Sequence, residues 1–110
     1  MVKLINQKDK FFVAGHNGMV GNAICRSLLK NGYNNILKAD RNELNLEDKI
    51  EVEKWININK PDIVILAAAK VGGIKANLKY PVDFLLRNLK IQNNVIESSY
   101  ANNVRRFLFL

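Results

Sequence analysis

Four consecutive apolar residues, Phe11-Phe12-Val13-Ala14, run straight into Gly15-His16-Asn17-Gly18-Met19-Val20-Gly21. An uninterrupted apolar run ending in glycine is the pattern of a strand buried on both faces. Beyond the glycines, Val20, Ile24 and Leu28, and beside them Cys25 and Leu29, recur at three and four residues. That spacing predicts a helix over 18–30, stopped by Asn31-Gly32. A buried strand turning through glycines directly into a helix leaves few architectures open, because the strand needs helical cover on both faces.

The rest of the chain continues the alternation. Residues 35–39, Asn-Ile-Leu-Lys-Ala, read as a second strand. Asn45 is expected to cap the next helix, with Glu47 and Asp48 suiting the positive end of its dipole. This helix is expected to turn Leu46, Ile50, Trp55 and Ile58 inward and to stop before Pro61, since proline disfavours helical geometry in the residue before it. Asp62-Ile63-Val64-Ile65-Leu66-Ala67 is a third buried strand. Pro81 opens a long helix to about Tyr100, with Val82, Leu85, Leu89 and Ile96 on one apolar stripe and Phe84, Ile91 and Val95 on another. Residues 104–110 form a fourth strand. The order β-α-β-α-β-α-β implies parallel strands joined by right-handed crossovers, hence an α/β, Rossmann-like doubly wound parallel sheet. No helix follows the fourth strand to cover it. Residues 1–110 are therefore expected to be the N-terminal part of a single dinucleotide-binding domain, truncated after that strand.

Charge and composition exclude several classes. The formal net charge is +7, but residues 40–53 are acidic and the basic excess is scattered, with no interleaved aromatic residues for base stacking. No nucleic-acid partner is expected. One cysteine, Cys25, and one histidine, His16, give neither a disulfide framework nor a metal cluster, so no metal site is expected. No apolar run reaches the ~18 to 20 residues of a membrane span, and the first residues lack a signal-peptide pattern. These readings predict a cytoplasmic protein with no membrane partner.

The chemistry concentrates in residues 15–21. Glycine is needed where the chain turns sharply, where backbone approaches a pyrophosphate, and where a helix packs closely on a strand. Free N–H groups and the positive dipole end at the helix start then meet phosphate charge. Gly15, His16, Asn17, Gly18, Met19, Val20 and Gly21 are the candidate cofactor loop, spaced G-x-x-G-x-x-G in the required strand–turn–helix context. About twenty residues on, Asp40 could accept from the ribose hydroxyls of NAD, whereas Arg41 could pair with the 2′-phosphate of NADP. The two residues argue in opposite directions. Ala67, Ala68 and Ala69 end the third strand with little side-chain volume, so that a cofactor can lie against the backbone or a helix can pack tightly there. Gly72-Gly73 adds a permissive loop.

Taken together, residues 15–21, Arg41-Asn42-Glu43-Leu44-Asn45-Leu46, Leu66-Ala67-Ala68-Ala69-Lys70-Val71-Gly72-Gly73-Ile74, Tyr80-Pro81-Val82-Asp83-Phe84 and Asn88 resemble the GDP-L-fucose synthases. These are extended short-chain dehydrogenases/reductases of the NAD-dependent epimerase/dehydratase family. The resemblance runs from about Lys10 to Leu110 and is most specific in Ala67–Ile74. It implies epimerisation and NADPH reduction of GDP-4-keto-6-deoxy-D-mannose to GDP-L-fucose, with a GDP-sugar as substrate. It favours NADP(H) through Arg41 and leaves NAD(H) open, and it extends the cofactor-binding set to Asn45, Leu46 and Leu110. It also implies a homodimer formed through the 81–100 helix.

The same resemblance implies catalytic groups that this chain does not carry. Reduction of a ketone needs an acid for the new alkoxide, supplied in this family by Tyr-x-x-x-Lys. Four residues after Tyr33, Tyr80 and Tyr100 stand Leu37, Phe84 and Val104. No catalytic residue is assigned, and the 110-residue chain alone is expected to be inactive. His16 is expected to be an exposed loop residue, Cys25 a small core residue, and Ser98-Ser99-Tyr100 a fraying polar helix end. The alternatives are another nucleotide-sugar epimerase or dehydratase, or a non-catalytic dinucleotide-binding module.

Overall fold

The computed structural model describes residues 4–68 and 81–110. Two apolar runs meet at its centre, β1 (Phe11–Ala14) and β3 (Ile63–Leu66). They pair in parallel from Phe11 opposite Ile63 to Ala14 opposite Leu66. Between them in sequence come α1 (Met19–Lys30), β2 (Ile36–Leu37) and α2 (Lys49–Asn59), and after them α3 (Pro81–Ala101) and β4 (Arg106–Phe109). The strands form one sheet in the order β2-β1-β3-β4, and every pairing is parallel.

Side chains alternate across a strand, so each central strand faces two cores. Phe12, Ala14, Val64 and Leu66 pack on one face with Val52 and Ile56 of α2 and Ile91 and Val95 of α3. Phe11, Val13, Ile63 and Ile65 pack on the other with Cys25, Ile24 and Leu28 of α1. Helices on both faces make the sheet doubly wound, as its strand–helix alternation predicts. Among the described residues no helix is long and apolar enough to cross a membrane.

Several local expectations shift. The second strand is Ile36–Leu37 rather than 35–39, and the fourth is Arg106–Phe109 within 104–110. The cap of α2 is Asp48, not Asn45. Its carboxylate accepts from the backbone amides of Ile50 and Glu51, while the Asn45 side chain accepts from the Glu47 amide. Both residues carry the acceptor a cap needs, and starting the helix at Lys49 sets the register. Val52 and Ile56 then point to the sheet, while Ile50 and Ile58 face away, 64% and 77% exposed. On α1, Gly21 and Cys25 are buried and Val20 and Leu29 lie outside the buried line.

On α3 the stripe through Ile91 and Val95 is the buried one, continued by Asn94, Ser98 and Ser99. Val82, Leu85, Leu89 and Ile96 are exposed. Ser98 and Ser99 are thus core residues and not a fraying end. The chain folds back over them, with the Val104 amide donating to the Ser99 carbonyl. Only Tyr100 of that trio is exposed.

Candidate functional site

Parallel strands place all the loops that follow them on one edge of the sheet. In the order β2-β1-β3-β4, that edge carries in turn Asp40-Arg41, the glycine loop, Ala67-Ala68 and Leu110. Three interstrand steps of about 4.8 Å make this row about 14 Å long. α1 leaves β1 on one face and α3 packs on the opposite face. The gap between the ends of β1 and β3 is therefore the switch point at which open α/β sheets bind ligands.

The three glycines of the loop meet different demands. Gly15 has φ +91°, and a Cβ there would come within 2.7 Å of the Ala68 backbone. It needs both a left-handed conformation and close approach to the end of β3. A Cβ on Gly21 would sit 1.9 Å from the Gly15 carbonyl oxygen, so α1 packs on its own turn only without a side chain. Gly18 differs. Its φ is −75°, and among the described residues a Cβ there would meet only the Gly15 oxygen, at 3.5 Å. Neither backbone strain nor packing among the described residues explains its missing side chain.

Gly18 is also the N-cap of α1, where no side chain caps the helix and no acidic residue occupies the first turn. Positive dipole and free amide donors are thus left to whatever binds there. Met19 and Val20 beside it are exposed, and Asn17 is exposed as well. His16 is half-buried rather than exposed, and its Nδ1 lacks a hydrogen-bond partner among the described residues.

At the β2 end the Asp40 carboxylate is committed to its own turn: one oxygen accepts from the Asn42 and Glu43 amides at 2.9 and 3.1 Å. Arg41 is exposed and has no hydrogen-bond or ion-pair partner among the described residues. Leu44, just beyond, is buried in the core, and Leu46 packs against that core. Asn45 is exposed.

At the other end the Leu110 amide donates to the Leu66 carbonyl, continuing the β3–β4 ladder. Leu110 lines a shallow cavity with Leu66, Ala68, Phe109, Asn88 and Gln92. The edge thus brings together the predicted residues of the glycine loop with Ala67 and Ala68, and sets Asp40, Arg41 and Leu110 in line with them. Ala69, Lys70 and Gly72-Gly73 lie outside the described residues.

Sequence reasoning missed two side chains of α3. Asn94, 8% exposed, donates from Nδ2 to the Leu46 carbonyl at 3.0 Å. Arg87 donates from Nε to Glu47 at 3.2 Å. The signal available was a polar residue in phase with the apolar stripe of Ile91 and Val95.

Comparison with known proteins agrees with this architecture. The model of the NAD dependent epimerase/dehydratase family matches residues 11–110. The chain is 52% identical over 105 residues to GDP-L-fucose synthase 1 of Arabidopsis thaliana, covering 96% of this chain and 32% of that protein. It is 46% identical over 103 residues to the GDP-L-fucose synthase of Escherichia coli K12, covering 94% and 32%. Among solved structures it superimposes with a TM-score of 0.91 and 39% identity on the GDP-mannoheptose C4 reductase of Campylobacter jejuni with NADP bound, covering 96% of this chain and 31% of that one. The chain therefore spans about a third of the length of the relatives it matches.

Proposed function

This chain belongs to the NAD dependent epimerase/dehydratase family, and from that premise we propose that it is the NADP(H)-binding N-terminal part of a GDP-L-fucose synthase. In this reading the whole enzyme epimerises and reduces GDP-4-keto-6-deoxy-D-mannose to GDP-L-fucose. The observation that carries the cofactor reading is Gly18. Its side chain is missing at a place where the described residues leave room for one, at the uncapped start of α1. A pyrophosphate lying against that backbone explains both facts.

NADPH, when bound, supplies the hydride for reduction. The residues of this chain bind and orient it. The amides at the head of α1 meet the pyrophosphate, and Gly15 and Ala67-Ala68 keep the switch point free of side chains. Ala69 joins them by the resemblance. Asn45 and Leu46 would hold the adenosine end of such a cofactor, and Leu110 its nicotinamide end. Arg41 pairs with the 2′-phosphate. Asp40 opposes this less than its charge suggests, because one of its oxygens already serves two backbone amides. NADP(H) is thus favoured over NAD(H). The chain by itself carries no Tyr-x-x-x-Lys and does not turn over substrate alone. The exposed stripe Val82, Leu85, Leu89 and Ile96 supports a homodimer through α3.

The test is Gly18→Asp. Aspartate is a good N-cap and suits the positive dipole end, so the ligand-free chain should gain about 0.5 kcal/mol. The same carboxylate repels a pyrophosphate. A thermal scan should show NADPH raising the Tm of the wild type, by linkage of binding to folding, and leaving that of Gly18→Asp unmoved. An equal NADPH shift in both proteins contradicts the site, and no shift in the wild type contradicts the function.

A further inference from the structure

Asn94 presents a physical problem that the cofactor reading alone does not answer. It sits between Ile91 and Val95 on the buried stripe of α3, where an aliphatic side chain would pack without a polar group to satisfy. Burying an amide is unfavourable unless it is hydrogen-bonded. Its partner is a main-chain carbonyl 48 residues away in sequence, that of Leu46.

That carbonyl belongs to the segment joining β2 to α2, which is built from two local turns and the cap of α2. Asp40 accepts from the Asn42 and Glu43 amides, Asn45 from the Glu47 amide, and Asp48 from Ile50 and Glu51. Such turns fix the internal shape of a loop but not its position on the sheet. Position comes from contacts at longer range. Leu44 is pegged in the core at 3% exposure, Asn94 holds the Leu46 carbonyl, and Arg87 reaches the next side chain, Glu47. All this fastening lies just C-terminal to Arg41, whose own side chain is exposed.

We propose that Asn94 is a positioning residue for cofactor discrimination, holding the Leu46 carbonyl so that the turn bearing Arg41 presents its guanidinium to the 2′-phosphate. Asn94 touches no cofactor itself. Its effect passes through Arg41. The inference rests on the dinucleotide-binding reading above and deepens it.

The experiment measures the affinity of the chain for 2′,5′-ADP and for 5′-AMP by calorimetry and takes their ratio. The wild type should prefer 2′,5′-ADP, and Arg41→Ala should abolish the preference. Asn94→Leu, which keeps the volume and removes the donor, should lower the ratio about fivefold, the scale of one hydrogen bond. Its affinity for 5′-AMP should stay within about twofold of wild type by the same measure. Asn94→Ser replaces it if the leucine variant does not fold. In the Arg41→Ala background either substitution should change the ratio no further, which a general loosening of the fold would not reproduce. A wild-type ratio in a folded Asn94 variant overturns the proposal, as does a loss that persists without Arg41. Failure of the wild type to bind either probe overturns the dinucleotide reading, and this inference with it.

Discussion

β3 and β4 are both four-residue strands, paired in parallel along their whole length, and both are followed by apolar sequence. Yet Ile63–Leu66 are no more than 6% exposed, whereas Phe107, Leu108 and Phe109 are 37%, 50% and 47% exposed. Hydrogen bonding to a neighbour is the same in kind; cover on the faces is not. β3 lies between β1 and β4 with helices above and below, while β4, like β2, is an outer strand of the four among the described residues. An apolar run thus records a demand for burial, and the place of a strand in the sheet decides whether the demand is met.

Different forces therefore hold the two strands. β3 is held by packing on both faces. β4 is fastened at its base by polar contacts. The Asp62 carbonyl accepts from the Arg105 and Arg106 amides at 2.9 and 3.3 Å, and the Arg105 guanidinium donates to Asp9 at 2.6 Å. Asp9 is itself buried at 5% exposure and accepts from the Asn6 amide.

Phe12→Ala, in the core beside Val64, should lose about 3–5 kcal/mol of stability, against less than about 1 kcal/mol for Phe107→Ala. Urea unfolding of both variants checks this, and equal losses would mean that β4 is as well packed as β3. A smaller effect concerns the base of β4. Burial alone would raise the Asp9 pKa, but the Asn6 amide and the Arg105 charge outweigh it and hold the carboxyl below its ordinary value. A carboxyl depressed in the folded state contributes stability above the unfolded pKa of about 3.9 and loses it as pH falls through the folded value. The Tm of the wild type should therefore fall more steeply than that of Asp9→Asn as pH drops below about 4. The smallest effect lies in the covered face of the sheet. Burial pushes the Cys25 thiol up despite the nearby Lys38 charge, so a thiol reagent should label it slowly at neutral pH and fast once urea unfolds the chain.

Legibility from sequence varied for physical reasons. The glycine loop could be read because strand, turn and helix start are adjacent in the chain and each has local chemistry. The cap of α2 was misplaced because Asn45 and Asp48 carry equivalent acceptors three residues apart; Ile50 and Ile58 of the expected inward stripe face out, whereas Leu46 and Trp55 pack against the core. On α3, two apolar stripes compete, and nothing local says which one the sheet takes. Ser98 and Ser99 look like solvent-facing polar residues until the returning chain covers them.

Residue pattern alone determined the strand–helix order, the parallel sheet and the place of the glycine loop, because periodicity and turn chemistry act over a few neighbouring residues. Tertiary structure alone decided which helix faces are buried and that Gly18 is bare without steric need. It also decided that the Asp40 carboxylate serves its own turn and that Asn94 reaches the Leu46 carbonyl. Each of these depends on atoms brought together from distant parts of the chain or on the exact register of a helix, and the spacing of residues along the sequence encodes neither.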